Sequence, residues 1–324
     1  MALSPNLPTS GAKPLRVGVV GVGYLGKLHA RIYAAMPDVE LVGVVDVDAN
    51  AARDIAAHHG CTAYTDANKL IGEVDAVSIV VPTSAHLEVA RPFLENGIHM
   101  LMEKPLAPSI EEGQKLVELA DRADVIFQVG HIERFNAGVM MLAEQAMNPR
   151  FIEVHRLGPF VARATDVDVV TDLMIHDIDI VMELVKSPLK NVAATGIPVV
   201  TDHVDIANAR LEFENGAVAN VTASRVSNKK FRRIRIFGDA HYYGLDYIEQ
   251  KLEISYAQKS ADGEWPKIVN QSVDIQPRPP LDTELEHFVR SVRTGQPPLV
   301  TGRVGLEALR VALLVREKIH ACMT

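Results

Sequence analysis

Asp172, His176 and Asp179, separated by four and three positions, have the residue types and spacing of a proton-transfer site. On a helix that spacing sets all three on one face. A histidine one turn from an aspartate is a proton acceptor with its orienter, because imidazole changes charge near neutral pH and a carboxylate fixes its orientation. The same residues also fit a surface histidine flanked by acids, or a metal site. The metal reading lacks a second histidine or cysteine at ligand spacing nearby. Another candidate is Lys104, in Glu103-Lys104-Pro105 at the end of an apolar run. The proline fixes the chain as it leaves the run. Lys104 is then either a surface charge at a strand end or a lysine held at the carboxyl edge of a sheet, where ligands gather.

A glycine pattern supplies a possible partner for this chemistry. The apolar run Arg16-Val17-Gly18-Val19-Val20 opens into Gly21-Val22-Gly23-Tyr24-Leu25-Gly26. As a strand, tight turn and helix start, this is the arrangement that cradles a dinucleotide pyrophosphate. Gly21 allows the turn, Gly23 lets backbone approach phosphate, and Gly26 lets the helix pack on the strand. Twenty residues beyond Gly26, the run Leu41-Val42-Gly43-Val44-Val45 ends in Asp46, where a carboxylate meets an adenosine ribose. That carboxylate repels a 2′-phosphate, and neither Val47 nor Asp48 is an arginine that could hold one, so NAD is favoured over NADP. The competing role for Asp46 is to cap the following helix, for which Asp48 is equally suited.

Other polar residues read as substrate contacts. Gly130-His131-Ile132-Glu133-Arg134-Phe135-Asn136 stands directly after a strand-like run, where the chain passes between domains. Crevices at such junctions favour ligands, which makes Arg134 and Asn136 candidates, although an ordinary solvated linker fits the same residues. Downstream, Arg156 and Arg163 offer planar forks for phosphate or carboxylate oxygens. The basic run of Arg225, Lys229, Lys230, Arg232, Arg233 and Arg235 resembles a nucleic-acid patch. Its alternation, Arg233-Ile234-Arg235-Ile236, is better read as the polar face of a half-solvated strand at a sheet edge or subunit interface.

The elements that must position these groups divide in two. Up to residue 130, short Val/Ile-rich runs alternate with helical patterns, the signature of a parallel sheet. Strands are expected at Leu15 to Val20, Glu40 to Val45, near Ala63, Ala76 to Val81, His99 to Met102 and Val125 to Val129, with helices beginning near Tyr24, Asn50, Ser84 and Ser109. Ligands of such sheets gather at the carboxyl ends of the strands. Afterwards the rhythm turns to a strand at Phe151 to Val154, a helix over Thr171 to Val185, and β-rich runs at Asp205 to Phe213, Ala217 to Val226 and Arg233 to Phe237. Glu214-Asn215-Gly216 marks a hairpin turn. Helices over Leu281 to Arg293 and Thr301 to Cys322 close the chain. The expected domains are a disordered tail over 1–13, a dinucleotide-binding domain over 14–130, and a substrate-binding and oligomerisation domain over 131–324.

The 324 residues carry 48% hydrophobic and 23% charged side chains, the balance of an ordinary globular protein. A net charge of −8 argues against nucleic acid as a partner. No apolar run reaches the roughly 18 residues of a membrane span, and the start lacks a charged segment followed by an apolar core, so neither export nor anchoring is expected. Cys61 and Cys322 show neither metal spacing nor a disulfide framework, which suits a reducing cytoplasm.

In order and spacing, Gly21-x-Gly23-x-x-Gly26, Asp46, Pro82-Thr83-Ser84-Ala85-His86, Glu103-Lys104-Pro105 and Asp172 to His176 resemble the glucose-fructose oxidoreductase, inositol dehydrogenase and MocA family over nearly the whole chain. The resemblance implies an α/β fold: an N-terminal Rossmann domain with a doubly wound parallel sheet, then an α+β domain with a large, mostly antiparallel sheet. It implies catalysis by Lys104, His176 and Asp172. NAD would be lined by Gly21, Gly23, Tyr24, Leu25, Gly26, Asp46, Pro82, Thr83, His86, Glu103 and Lys104, with His86 near the nicotinamide half, and no metal is implied. Val129 to Asn136 and Asp172 to Asp179 look like the subgroup that oxidises the 3-hydroxyl of UDP-linked N-acetylated amino sugars, although Met174 stands where the family often has glycine. A dehydrogenase of a free polyol such as an inositol, and a non-catalytic dinucleotide-binding regulator, are the other readings. The exposed sheet face points to a homodimer or homotetramer.

Overall fold

A computed structural model of the chain describes residues 13–145, 148–161, 167–261 and 264–323. The expected tail, apart from Lys13, lies outside the described residues. The chain divides into two compact units: residues up to Gly130 with Leu285–Gly302, and His131–Glu284 with Arg303–Thr324.

In the first unit, β1 (Leu15–Val20), β2 (Val39–Val45), β3 (Thr62–Tyr64), β4 (Ala76–Ile79), β5 (His99–Glu103) and β6 (Phe127–Gly130) form a parallel sheet in the order β3-β2-β1-β4-β5-β6. Four helices connect them: α1 (Tyr24–Ala35), α2 (Ala49–His59), α3 (His86–Glu95) and α4 (Ile110–Ala123). Strand order reverses between β1 and β4, so the crevice beyond their carboxyl ends is the ligand seat of this topology. β1 and β4 are apolar and almost wholly buried, as strands covered on both faces must be. The segment Leu285–Gly302 joins this unit late in the chain: the Val129 N–H donates to Val300 O at 3.0 Å, and Gln128 pairs with Thr301. A single boundary at residue 130 therefore does not describe the folded chain.

The second unit opens with a one-turn 3-10 helix, Ile132–Phe135, and α5 (Ala137–Gln145). Its eight strands are β7 (Phe151–Leu157), β8 (Leu189–Ile197), β9 (Ile206–Phe213), β10 (Val218–Ser224), β11 (Phe231–Phe237), β12 (His241–Asp246), β13 (Lys251–Gln258) and β14 (Lys267–Val273). They run in the order β14-β13-β12-β11-β7-β10-β9-β8, antiparallel except where β7 meets β10. α6 (Ile175–Val185) and α8 (Gly302–Met323), through Ala308 to Ile319, share one apolar core with the inner face of this sheet. α7 (Pro280–Thr294) precedes α8.

Two expectations are corrected here. Of the sheet edge or subunit interface expected for Arg233-Ile234-Arg235-Ile236, the edge is excluded: β11 sits between β12 and β7, and its arginines meet carboxylates, with Arg233 3.3 Å from Glu253 and Arg235 paired with Glu153. The helix expected from Thr171 instead begins as a π-helical turn, Val170–Met174, before α6 takes over. Asp168 Oδ1 accepts the N–H groups of Val170 and Thr171 at 2.9 Å each, and the β-branched run Val169-Val170-Thr171 disfavours a regular first turn. Among the described residues no helix is long and apolar enough to cross a membrane.

Asp205 pins the loop that precedes β9. Its carboxylate accepts the N–H groups of Val199, Val200 and Thr201 at 2.7 to 2.9 Å and lies 3.3 Å from Arg225. Burial works to raise its pKa, but these donors hold it at about 2. A depressed pKa stabilises the fold above the unfolded value of 3.8, and that stability drains away as pH falls toward 2. Asp205→Asn is expected to lose about 1–3 kcal/mol at neutral pH. In urea titrations from pH 7 down to 3, its deficit against the native chain should shrink at the acid end.

Candidate active site

The glycine turn is built by backbone crowding. Gly21 has φ +88°, and a Cβ there would lie 2.4 Å from the Val80 carbonyl oxygen. A Cβ on Gly26 would lie 1.9 Å from Gly21 O, whereas one on Gly23 would meet nothing within 4 Å. Two glycines are thus needed by the fold, and the third leaves open space at the start of α1. No side chain caps that helix at Gly23, Tyr24 beside it is 74% exposed, and Leu25 is half-buried. A helix N-terminus with open backbone around it suits an anion.

Asp46 closes this seat from β2. Its Oδ2 accepts the Val22 N–H at 2.8 Å and its Oδ1 accepts the Asp48 N–H at 3.0 Å. The cap of α2 is Asp48, whose carboxylate takes the N–H groups of Asn50 and Ala51. Asp46 therefore ties the strand end to the glycine turn, and a carboxylate with about four lone-pair positions can still accept ribose hydroxyls. An open glycine, an uncapped helix start and a carboxylate at the end of β2 fit a dinucleotide.

Lys104 follows the last residue of β5 and is half-buried, and its bond to Pro105 is cis. Glu103 points inward: its Oε1 lies 3.3 Å from His29 Nε2 on α1, and its Oε2 accepts the Lys104 N–H at 3.3 Å. It also packs against Gly130, where a Cβ would come within 3.1 Å of the carboxylate. Glu103 is thus a buried support for Lys104. His29, fully buried, escapes the sequence reading because a histidine on an apolar helix face has no local signal. His86 is also corrected. Its Nδ1 and Nε2 lie 3.1 Å from the carbonyls of Leu106 and Val81, the ring is 1% exposed, and burial pushes its pKa down. It fastens the turn of Pro82 and Thr83 to the segment after Lys104 and is not open to a ligand. Pro82 is exposed and Thr83 half-buried.

In the second unit Asp172 is half-buried in the π-helical turn, while His176 on α6 is 8% exposed. Met174 is fully buried in the core. The polar residues read as substrate contacts do something else. Arg156 donates Nε and Nη2 to the two oxygens of Asp177 at 2.7 and 2.8 Å, and Nη1 to Glu133 at 2.6 Å. Tyr247 stacks under the guanidinium at 5.4 Å. Arg134 donates to Glu183 at 2.8 Å and stands 3.6 Å from Asp179. Asn136 donates to Tyr247 O at 3.1 Å and accepts the Gly138 N–H. All three are 3% exposed, so Arg134, Asn136 and Arg156 hold α6 and its neighbours in place and leave no fork for substrate. Arg163 lies outside the described residues.

Charge states in this network follow from burial and pairing. Burial alone would raise Glu133, but Arg156 and Arg232 hold it below the usual carboxylate range. Asp177 is raised by burial despite Arg156. Asp179 is pushed up to about 7 by burial, with Arg134 opposing and Glu183 adding to the rise. The ring of His131 reaches 3.9 Å from Asp179 and packs edge-on to His176, their centroids 6.1 Å apart. Among the described residues no three His, Cys, Asp or Glu side chains gather as a metal site.

Comparison with known proteins agrees with both halves. The model of the oxidoreductase family with an NAD-binding Rossmann fold matches residues 15–131, and the GFO/IDH/MocA C-terminal domain matches residues 142–243. UDP-N-acetylglucosamine 3-dehydrogenase of Acidithiobacillus ferrooxidans is 38% identical, over 95% of this chain and 98% of that protein. Its solved structure superposes with a TM-score of 0.90 at 37% identity, covering 96% of this chain and 99% of that one. Myo-inositol 2-dehydrogenase of Thermotoga maritima is 26% identical, over 94% of this chain and 96% of that protein. With a dinucleotide seat in the first unit, a histidine on α6 and an aspartate in the π-helical turn before it in the second, and these likenesses along nearly its full length, the chain belongs to the glucose-fructose oxidoreductase, inositol dehydrogenase and MocA family of NAD-binding oxidoreductases.

Proposed function

We propose that the chain oxidises the 3-hydroxyl of a UDP-linked N-acetylated amino sugar, with NAD as cofactor. The observation that carries this reading is the full-length likeness, at 38% identity, to an enzyme named UDP-N-acetylglucosamine 3-dehydrogenase. Bound NAD supplies the hydride acceptor. His176 takes the hydroxyl proton, Asp172 orients its imidazole, and the Lys104 ammonium stabilises negative charge developing on the substrate oxygen. Glu103, buried against His29, fixes where the backbone of Lys104 starts. A cytoplasmic setting fits the two free thiols, Cys61 and Cys322. The outer face of the second sheet, where Phe237 stacks on Phe151 at 5.9 Å and packs tilted against Tyr242 at 5.1 Å, supports a homodimer or homotetramer.

One observation favours a second reading, a dehydrogenase of a free polyol. Arg156, one of the two forks expected for phosphate oxygens, is spent on Asp177 and Glu133, and an inositol dehydrogenase is among the relatives. Incubation with NAD and UDP-N-acetylglucosamine, or its uronic acid relative, is expected to generate NADH absorbance that free UDP suppresses. Turnover of inositol, unaffected by UDP, would select the second reading. Lys104→Met and His176→Ala are each expected to lower kcat by about 100-fold or more.

The preference for NAD rests on Asp46. Asp46→Ala is expected to narrow the ratio of kcat/KM for NAD over NADP by about 10-fold or more, since a buttressed carboxylate both accepts ribose hydroxyls and repels a 2′-phosphate. An unchanged ratio would remove Asp46 from that role. Arg156→Lys keeps the charge but loses the fork, and should cost about 2–4 kcal/mol in urea unfolding while leaving KM for the sugar within about 2-fold. A large rise in KM at native stability would return Arg156 to the substrate.

A further inference from the structure

The turn that carries Asp172 is built unlike the helix it feeds. The Ile175 N–H donates to Val170 O, five positions back, so the turn is one residue wider than an α-helical one. Its apolar residues follow that width. Val169 and Met174, and Val170 and Ile175, stand five apart and are fully buried in the core, whereas Met174, Ile178 and Val181 return to spacings of four and three. On a regular α-helix, residues four apart overshoot one turn by about 40°. The wider turn takes back part of that overshoot, which brings Asp172 closer to alignment with His176 along the helix.

A π-helical turn is rare and needs something to hold it. Here that is Asp168, which is buried. Its Oδ1 accepts the N–H groups of Val170 and Thr171 at 2.9 Å each and the Thr171 hydroxyl at 3.2 Å, and its Oδ2 lies 2.8 Å from Arg316 Nε on α8. The two oxygens divide the work: Arg316 takes one, and the other faces the donors of the turn. The Asp168 carbonyl in addition accepts the Asp172 N–H at 3.1 Å. Its two chain neighbours are tied to the end of the second sheet. Arg225, just beyond β10, donates to Val167 O, and the Val169 N–H donates to Val204 O at 2.9 Å. Met174 fixes the far end of the turn in the core.

We infer that Asp168, with Arg316 behind it, is a positioning residue for the proton-transfer pair: it fixes the π-helical turn that aligns the Asp172 carboxylate with His176. The inference deepens the reading of Asp172 as the orienter of His176 and rests on it. An orienting group works through geometry, so loosening the turn costs turnover and leaves binding almost as it was.

The test is a double-mutant cycle in kcat between Asp168→Ala and Asp172→Asn, run on the full chain with NAD and UDP-N-acetylglucosamine. Asp168→Ala is expected to lower kcat by about 10-fold or more while folded, with KM for the sugar and affinity for NAD within about 2-fold. In the Asp172→Asn background the same substitution should change kcat by less than about 2-fold, because the group it positions is already gone. Asp168→Asn keeps an oxygen for the Val170 and Thr171 N–H groups and should bring kcat back to within about 3-fold of the native value. In the chain without ligands, hydrogen exchange of the Ile175 amide, whose bond defines the wide turn, should quicken by about 10-fold or more in Asp168→Ala and far less in Asp168→Asn. Should Asp168→Ala not fold, Arg316→Gln takes its place in the cycle, with an expected loss of about 3-fold in kcat. Native kcat in the folded variant, or a loss that persists undiminished in the Asp172→Asn background, overturns the inference. The reading beneath it fails on different results, full turnover by Asp172→Asn alone or no turnover by the native chain.

Discussion

A guanidinium shut away from water governs how the second unit can be built. Arg156 meets Asp177 with both arms of its fork and Glu133 with the remaining nitrogen. A charge buried this deeply is tolerable only with such geometry, because attraction must offset the loss of hydration on every partner. The pairing joins a strand of the sheet, the helix that carries His176, and the short helix that opens the unit. It therefore adds the directional geometry of two hydrogen bonds to the position that α6 takes on the apolar core.

The first unit reaches the same result without a buried arginine. Its critical contacts are between backbone atoms, with Gly26 against the Gly21 carbonyl and Gly21 against Val80. Any side chain at either position would separate the helix from the strands it must touch. The turn is thereby held close, and Asp46 stitches it to the neighbouring strand through the Val22 N–H. Polar groups that look reactive in both units are mostly structural: His86, Asn136, Arg134 and Arg156 each spend their hydrogen-bonding capacity on the fold. The groups proposed to carry the chemistry stand at element ends, Lys104 after β5, Asp172 in the π-helical turn and His176 at the start of α6.

Much of the fold was legible because the signals are local. Val/Ile runs bounded by glycine and proline marked the first sheet, and Glu214-Asn215-Gly216 marked the hairpin between β9 and β10. Less legible were β8, β12, β13 and β14, half-buried strands whose polar outer faces break the apolar pattern. The π-helical turn was missed because its cause, Asp168 capping a β-branched run, favours a helix start without saying of which pitch. The return of Leu285–Gly302 to the first unit depends on pairing with residues more than 150 positions earlier, which no local pattern encodes.

What the chain of residues determined by itself was the kind of site. Glycine spacing, a carboxylate at the end of the second strand, a lysine before proline and a histidine one turn from an aspartate are short-range relations, and local geometry is enough to read them. What only the tertiary structure decided was which polar side chains remain open to a ligand. An arginine that binds phosphate and one that holds a helix are the same residue in the same local sequence. They differ in whether carboxylates distant in sequence, here Glu133 and Asp177, are folded against them. Burial and pairing are properties of the packed chain, and so the sequence named the chemistry while the fold chose the residues free to perform it.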